Sequence, residues 1–367
     1  MKYKKRMLSV ALAASLAMSA LSGCSNGLAK DGTTAAGATT ESADHKDGRM
    51  TKEDAQKTLA MHIGDYDVYM DELLVYAMQA IVVSKMTPDI CSEANQKAVK
   101  QTALSYVRTT KIEYDAAVKA GVKLTDSDTA STKTLIDNFK NSFPQKVFDD
   151  FGISDEVIEK VFTEQTYVQK FENDTKNEIG QAKTKEKQEE YADYNFHNIY
   201  YMIFPTVEQK NGAPATASDG SYQKLPEDKQ AEAKANAEKL IERVRAGEDV
   251  KKLAEEFGIT SYSSERSGYV GAYSDELNEA IKDLEAGEIS EVVEGELGYV
   301  VVYMMTAHDE DIKKLYVDAL VSDLVDQEFS QKQSEWLNAI PVDVNGDMEG
   351  TVWEDYDLYD LCKEMNE

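Results

Sequence analysis

The sequence predicts an α+β protein, with a helical domain built from N-terminal helices and a C-terminal long helix, interrupted by a domain of antiparallel sheet and helices. Three observations carry that expectation. From Met70 to Glu189 the apolar residues recur at helical spacing. From Tyr191 the character changes, and two strands dense in aromatic and β-branched residues, Phe196–Phe204 and Gly298–Met304, bracket a block of helices. Behind them, Asp311–Leu337 carries Ile312, Leu315, Ala319, Leu320, Leu324, Phe329, Trp336 and Leu337 mostly three to four residues apart.

The chain begins as an export signal. Lys2, Lys4, Lys5 and Arg6 precede an apolar run too short to span a bilayer comfortably, and the run ends in Leu21-Ser22-Gly23-Cys24. That tetrapeptide fits a bacterial lipobox, in which Cys24 is lipidated and becomes the mature N-terminus. Residues 1–23 are therefore expected to be a lipoprotein signal peptide, and the protein an extracytoplasmic one, held on the outer face of the bacterial cell membrane by acyl chains. Residues 24–50, rich in Gly, Ala, Ser and Thr, form a tether whose flexible coil reaches roughly 25–30 Å.

Charge narrows the partners. The net charge is −28, and removing a signal with four positive and no negative charges leaves a more acidic mature chain. Such a surface disfavours nucleic acid and repels anionic lipid, so membrane attachment falls to the anchor. At 29% charged and 42% hydrophobic residues, the 367-residue chain suits ordinary folded domains, with length for two or three cores. Three cysteines do not make a disulfide scaffold. The compartment permits Cys91 and Cys362 to pair, but sequence leaves that open.

Within residues 51–190, Ala60–Ile63 and Tyr66–Tyr69 flank Gly64-Asp65 as a hairpin, and a helix starts at Met70. A second helix runs through Val99, Leu104, Val107 and Ile112 and stops at Gly121. Thr125 to Asp128 cap a third, which ends near Ser142, before Pro144; Ser154 caps a fourth, whose last turns are almost wholly polar. Met70, Tyr76, Met78 and Met86 read as core or as an adaptable client cradle. Residues 191–307 continue with a polar loop from Thr206 to Leu225, then a helix from Pro226 to Ala246 closed by Gly247. A shorter helix ends at Gly258, a Gly-rich segment runs from Ser264 to Ser274, and a short helix spans Asp275–Leu284. Residues 308–345 form the long helix, and 346–367 an acidic, aromatic tail. Asp343-Val344-Asn345-Gly346-Asp347 imitates a calcium loop, but Met348 stands where that loop needs Gly. The four His show no zinc spacing, and no cofactor is expected.

At this point the pieces resemble a known domain. His197-Asn198-Ile199, Leu240 through Asp249, Leu253–Phe257, Gly268–Tyr273, Leu284–Ser290 and Gly298–Val302 stand in the order and spacing of a parvulin-type peptidyl-prolyl isomerase. With the lipobox and the flanking helices, the chain resembles the PrsA-type foldase lipoproteins and is similar to SurA-type chaperones. The resemblance implies that 308–345 returns to pack on 51–190, so that the isomerase domain is an insertion. It implies exported, unfolded or partly folded clients bearing X–Pro bonds, and leaves the oligomeric state open. His197 takes the place of the first family His and Ser261 that of a nearby Cys or Asp, with Thr260 and Ser263 as alternatives for the latter; His197 and Ser261 become catalytic candidates. Tyr273, Leu277 and Val300 become pocket candidates. Val300 replaces the family's second His, and the pocket Met has no counterpart.

Isomerisation needs no nucleophile. An X–Pro bond crosses about 18–20 kcal/mol in tens to hundreds of seconds. A dry socket with polar groups suited to a twisted amide lowers that barrier. A binding-only chaperone that keeps the fold without turnover is the alternative.

Overall fold

The structure is a computed structural model that describes residues 47–210, 213–340, 342–343, 353 and 355–367. The export signal, Cys24 and most of the tether and calcium-like loop lie outside the described residues. The chain opens with α1 (Lys52–Lys57), β1 (Leu59–Ile63), β2 (Tyr66–Tyr69), α2 (Met70–Ser84) and α3 (Glu93–Lys119). Next come α4 (Asp126–Ser142), α5 (Gln145–Asp150) and the long α6 (Asp155–Glu190). The sheet region has β3 (Phe196–Pro205), β4 (Gln209–Lys210), β5 (Ala213–Pro214), α7 (Glu227–Arg245) and α8 (Val250–Glu256). It continues with β6 (Ser263–Tyr269), α9 (Asp275–Ile281), β7 (Val293–Gly295) and β8 (Gly298–Thr306). The chain closes with α10 (Glu310–Ala339), β9 (Val342–Asp343) and α11 (Tyr359–Met365).

Two compact units result: residues up to Ile179 together with Asp326–Glu367, and Gly180–Val325. Their division falls inside α6 and α10, not at the loops near 190 and 308. Each helix serves one unit along part of its length and the other along the rest.

The helical unit is organised around α2. Every residue from Met70 to Val82 is buried, so this helix is apolar nearly all round and forms the centre of the core. Met70, Tyr76, Met78 and Met86 are all in that core and offer no exposed cradle. Phe139, Phe143, Phe148 and Phe162 pack edge-on or tilted beside it, with centroids 5.2–6.4 Å apart. Helix α4 starts with a complete capping box between Thr125 and Asp128, and Ser154 Oγ accepts from Val157 N at 3.2 Å, as the sequence suggested. Gly152 turns the chain at φ 66°, where a Cβ would meet the Thr51 carbonyl oxygen at 2.8 Å.

The end of the chain closes this unit. Trp353, Tyr356, Leu358, Leu361, Cys362 and Met365 are buried in the same core. Gln96 binds the segment through Leu358 N at 2.8 Å and Asp357 Oδ1 at 2.9 Å, and β9 pairs with β1. The tail therefore docks as the short helix α11. Trp336 packs tilted against Phe171, with ring centroids 4.8 Å apart, and lies 6.0 Å from Phe329, yet is only partly buried. Its truncation should cost less than the 3–5 kcal/mol expected of a fully buried ring. Among the described residues no helix is long and apolar enough to cross a membrane.

In the second unit a four-stranded antiparallel sheet has the order β6-β3-β8-β7. Side-chain alternation splits β3 cleanly. Tyr200, Met202 and Phe204 pack with α7 and α8, while Ile199, Tyr201 and Ile203 face α9. The first half of α10 adds Val317 and Val321 to a cluster with Tyr191 and Phe196. Strand β6 was not foreseen, because its middle, Ser264–Ser267, is polar and exposed on a sheet edge and shows no apolar alternation.

Candidate active site

Strand β3 and the turn before α9 bring the first candidates together. His197 is fully buried, and its Nε2 lies 3.2 Å from the Tyr273 hydroxyl, with the rings stacked at 5.8 Å and 21°. Gly268 is the residue across β6 from His197, and a Cβ there would sit 2.7 Å from the Tyr273 hydroxyl oxygen. Only the missing side chain admits the phenol. Asn278 fixes the turn that presents Tyr273. Its Oδ1 accepts from Gly271 N at 2.8 Å and Tyr273 N at 3.3 Å, and its Nδ2 donates to Tyr273 O at 2.8 Å. Ser274 Oγ then caps α9 by accepting from Leu277 N at 3.4 Å.

Burial pushes the His197 imidazole below its ordinary value, with the Asn195 backbone opposing. Burial also pushes the Tyr273 phenol up, with Arg266 opposing. A neutral imidazole and a protonated phenol follow, and the Nε2–Tyr273 hydroxyl hydrogen bond forms with either group as donor, according to the ring tautomer. Fully buried and in contact with the Tyr273 hydroxyl, His197 is placed to position that phenol.

The other candidates lie apart from His197: Val300 on β8, Leu277 on α9 and Ser261 on the turn before β6. Val300 pairs with Ile203, and Ser263 pairs with Met202, whereas His197 pairs with Gly268. Six residues of β3, about 20 Å, separate His197 from the rung of Val300. Ser261 is exposed on the 3₁₀ turn Thr260–Tyr262, beyond that far end. The antiparallel register therefore separates His197 from both Ser261 and Val300. Leu277 and Val300 do share one cluster with Tyr273, but both are buried, at 7% and 6% exposure, and form its packed floor with Ile199, Ile281, Val302 and Met304.

Between the two ends lies the accessible part. Tyr201, opposite Val302 on β8 and Ser264 on β6, is half-buried. The exposed Arg266 guanidinium covers its ring at 3.8 Å, with Arg266 Nε donating to Ser264 Oγ at 3.1 Å. Burial raises the Tyr201 phenol, again with Arg266 opposing. Ile203, Val270 and Val293 complete a partly open apolar rim. Sequence reasoning missed Tyr201 and Arg266. The signal for Tyr201 was present, since it shares a strand face with Ile199 and Ile203; Arg266 gave none in a polar strand.

Residues 221–306 match the rotamase family, described as the PPIC-type PPIase domain. The chain carries a PPIC-type rotamase domain. The match takes in α7, α8, β6, α9, β7 and β8, while β3 precedes it. Over 118 residues the chain is 30% identical to the foldase protein PrsA of Clostridium tetani, covering 29% of this chain and 35% of that relative's length. Solved structures similar to it include the PrsA foldase of Lactococcus lactis, 16% identical with a TM-score of 0.33, covering 84% of this chain and all of that one. A SurA-like chaperone of Campylobacter jejuni is 15% identical with a TM-score of 0.26, covering 78% and 98%. Within the matched residues, Tyr273 before α9, Leu277 on α9 and Val300 on β8 share one cluster.

Proposed function

We propose that the protein is a lipid-anchored, extracytoplasmic foldase that isomerises X–Pro bonds in exported clients. The match of residues 221–306 to the rotamase family is the observation that carries this reading. The reaction centre is the stretch between Tyr273 and Tyr201. Their rings and the aliphatic rim remove water from a proline ring, and Arg266 offers N–H donors beside it for a carbonyl leaving conjugation. No proton transfer to or from the enzyme is needed, because only rotation about C–N occurs. The helical unit is proposed to support client binding.

Burial of His197 and the aliphatic Val300 favour a second reading, a chaperone that binds through this face without turnover. A protease-coupled prolyl-peptide assay on the full chain separates them. Isomerisation above the uncatalysed rate is expected. A background rate with retained suppression of client aggregation establishes the binding-only reading instead.

The anchor reading rests on Leu21-Ser22-Gly23-Cys24. Cys24→Ser should move the protein from the membrane fraction to the soluble one, because lipid chains supply the attachment. Recovery of the mutant with membranes at the wild-type level would contradict it.

A further inference from the structure

Strand β6 carries a cation beside the proposed socket that has no anion of its own. On one face of the sheet Ser264, Arg266 and Gly268 stand opposite Tyr201, Ile199 and His197. The Tyr273 hydroxyl lies over Gly268. Arg266 therefore occupies the rung midway between Tyr201 and Tyr273, about 7 Å along β6 from either end. Its guanidinium carbon is 3.8 Å from the centre of the Tyr201 ring, and Nε donates to Ser264 Oγ at 3.1 Å. These two contacts hold the group without using its terminal nitrogens.

Among the described residues no carboxylate pairs with Arg266, whereas Arg49, Arg243 and Arg245 each hold one at 2.5–2.7 Å. Scarcity does not explain the difference, because the chain has 68 Asp and Glu against 40 Lys and Arg. The adjacent acid, Glu265, is turned by strand alternation to the other face, where it pairs with Lys251 on α8. An exposed guanidinium with two open nitrogens is thus left at the middle of the site.

We propose that Arg266 selects the residue before proline, favouring X–Pro bonds in which X is Asp or Glu. The inference rests on the isomerase reading above and names which bonds that site takes. The carbonyl of the rotating bond belongs to X, so the X side chain branches from the carbon next to it. With the proline ring between Tyr273 and Tyr201, a carboxylate on X comes within reach of Arg266, whose terminal nitrogens match its two oxygens. A Lys at X sets two like charges together there. The contacts with Tyr201 and Ser264 hold the guanidinium before a client arrives, so little freedom is lost on binding. Arg266 also opposes the burial-driven rise of both the Tyr201 and the Tyr273 phenols, as a cation near both ends of the site does.

The test uses the full chain and prolyl peptides of one series that differ only in the residue before proline: Glu, Gln or Lys. In wild type, kcat/KM for the Glu peptide should exceed that for Gln by about threefold to tenfold, with Lys below Gln. Arg266→Glu should reverse the order, and Arg266→Gln should bring Glu and Gln within about twofold. Each comparison is a ratio within one protein, so a uniform loss of activity cancels, and circular dichroism confirms that the variants fold. Equal rates for Glu and Gln in wild type, or a Glu preference that survives Arg266→Glu, would overturn the inference. A background rate for every peptide would instead refute turnover at this site. The selectivity is then read from peptide affinity by NMR titration, where tighter binding of Glu than Gln by wild type alone supports it and equal affinities overturn it.

Discussion

Lys111→Met should remove about 3–5 kcal/mol from the helical unit and leave the sheet unit's transition in place. Lys111 is fully buried on α3, with Nζ 2.6 Å from both Glu72 Oε1 on α2 and Glu164 Oε2 on α6. Lys160 approaches Glu72 Oε2 at 2.8 Å from the other side. Deleting the central ammonium leaves Glu72 one partner and strands Glu164, whose carboxyl burial already raises against the pull of Lys111. Replacing Glu164 by Leu as well should recover most of the loss, because the uncompensated charge then disappears while Glu72 and Lys160 remain paired. Urea unfolding followed by two probes, one in each unit, makes the comparison. A double variant as unstable as Lys111→Met alone would show that packing, not charge, accounts for the loss.

Glu113→Gln should stabilise the same unit at pH 8 and flatten its dependence on pH. Glu113 on α3 is fully buried against Glu172 on α6, and its Oε1 accepts from Gln333 Nε2 on α10 at 2.8 Å. Burial first and the Glu172 carboxylate second push its carboxyl up to about 8; Gln333 and Lys176 oppose them. The folded state holds a proton that the unfolded chain releases near 4.5. Its stabilising effect is complete below that value and is lost as pH rises towards 8. The loss across that window reaches up to about 4 kcal/mol at roughly 1.4 kcal/mol per pH unit. Midpoints measured from pH 5 to pH 9 should fall for the wild type and stay nearly level for Glu113→Gln. Parallel curves would contradict a proton held on Glu113 in the folded state.

Much of the fold was legible in residue order. The Gly64-Asp65 hairpin, the capped start of α4, the Ser154 cap and the glycines ending α7 and α8 are local signals, and each states its own boundary. What escaped depends on partners distant in sequence. Strand β6 exists because β3 offers it an edge, and nothing in Ser264–Ser267 announces it. The tail around Trp353 and Leu361 reads as acidic and ambiguous, yet its apolar residues find a core assembled from residues far earlier in the chain, between Ala60 and Phe162. The site was half legible for the same reason. Pocket type and sheet face followed from the motif order, but antiparallel register decides which residues meet. That register puts Tyr201, and not His197, on the stretch of β3 nearest Val300.

The most direct measurement compares kcat/KM for a prolyl peptide across wild type, Tyr201→Ala and His197→Ala, with circular dichroism confirming that each is folded. Tyr201→Ala should lose at least about tenfold, having removed a wall of the socket. His197→Ala should lose about threefold to tenfold, the worth of one hydrogen bond that positions Tyr273. Gly268→Ala should fall with His197→Ala, since it displaces the same phenol. Full activity in Tyr201→Ala together with complete loss in His197→Ala would contradict the placement of the reaction centre between Tyr273 and Tyr201.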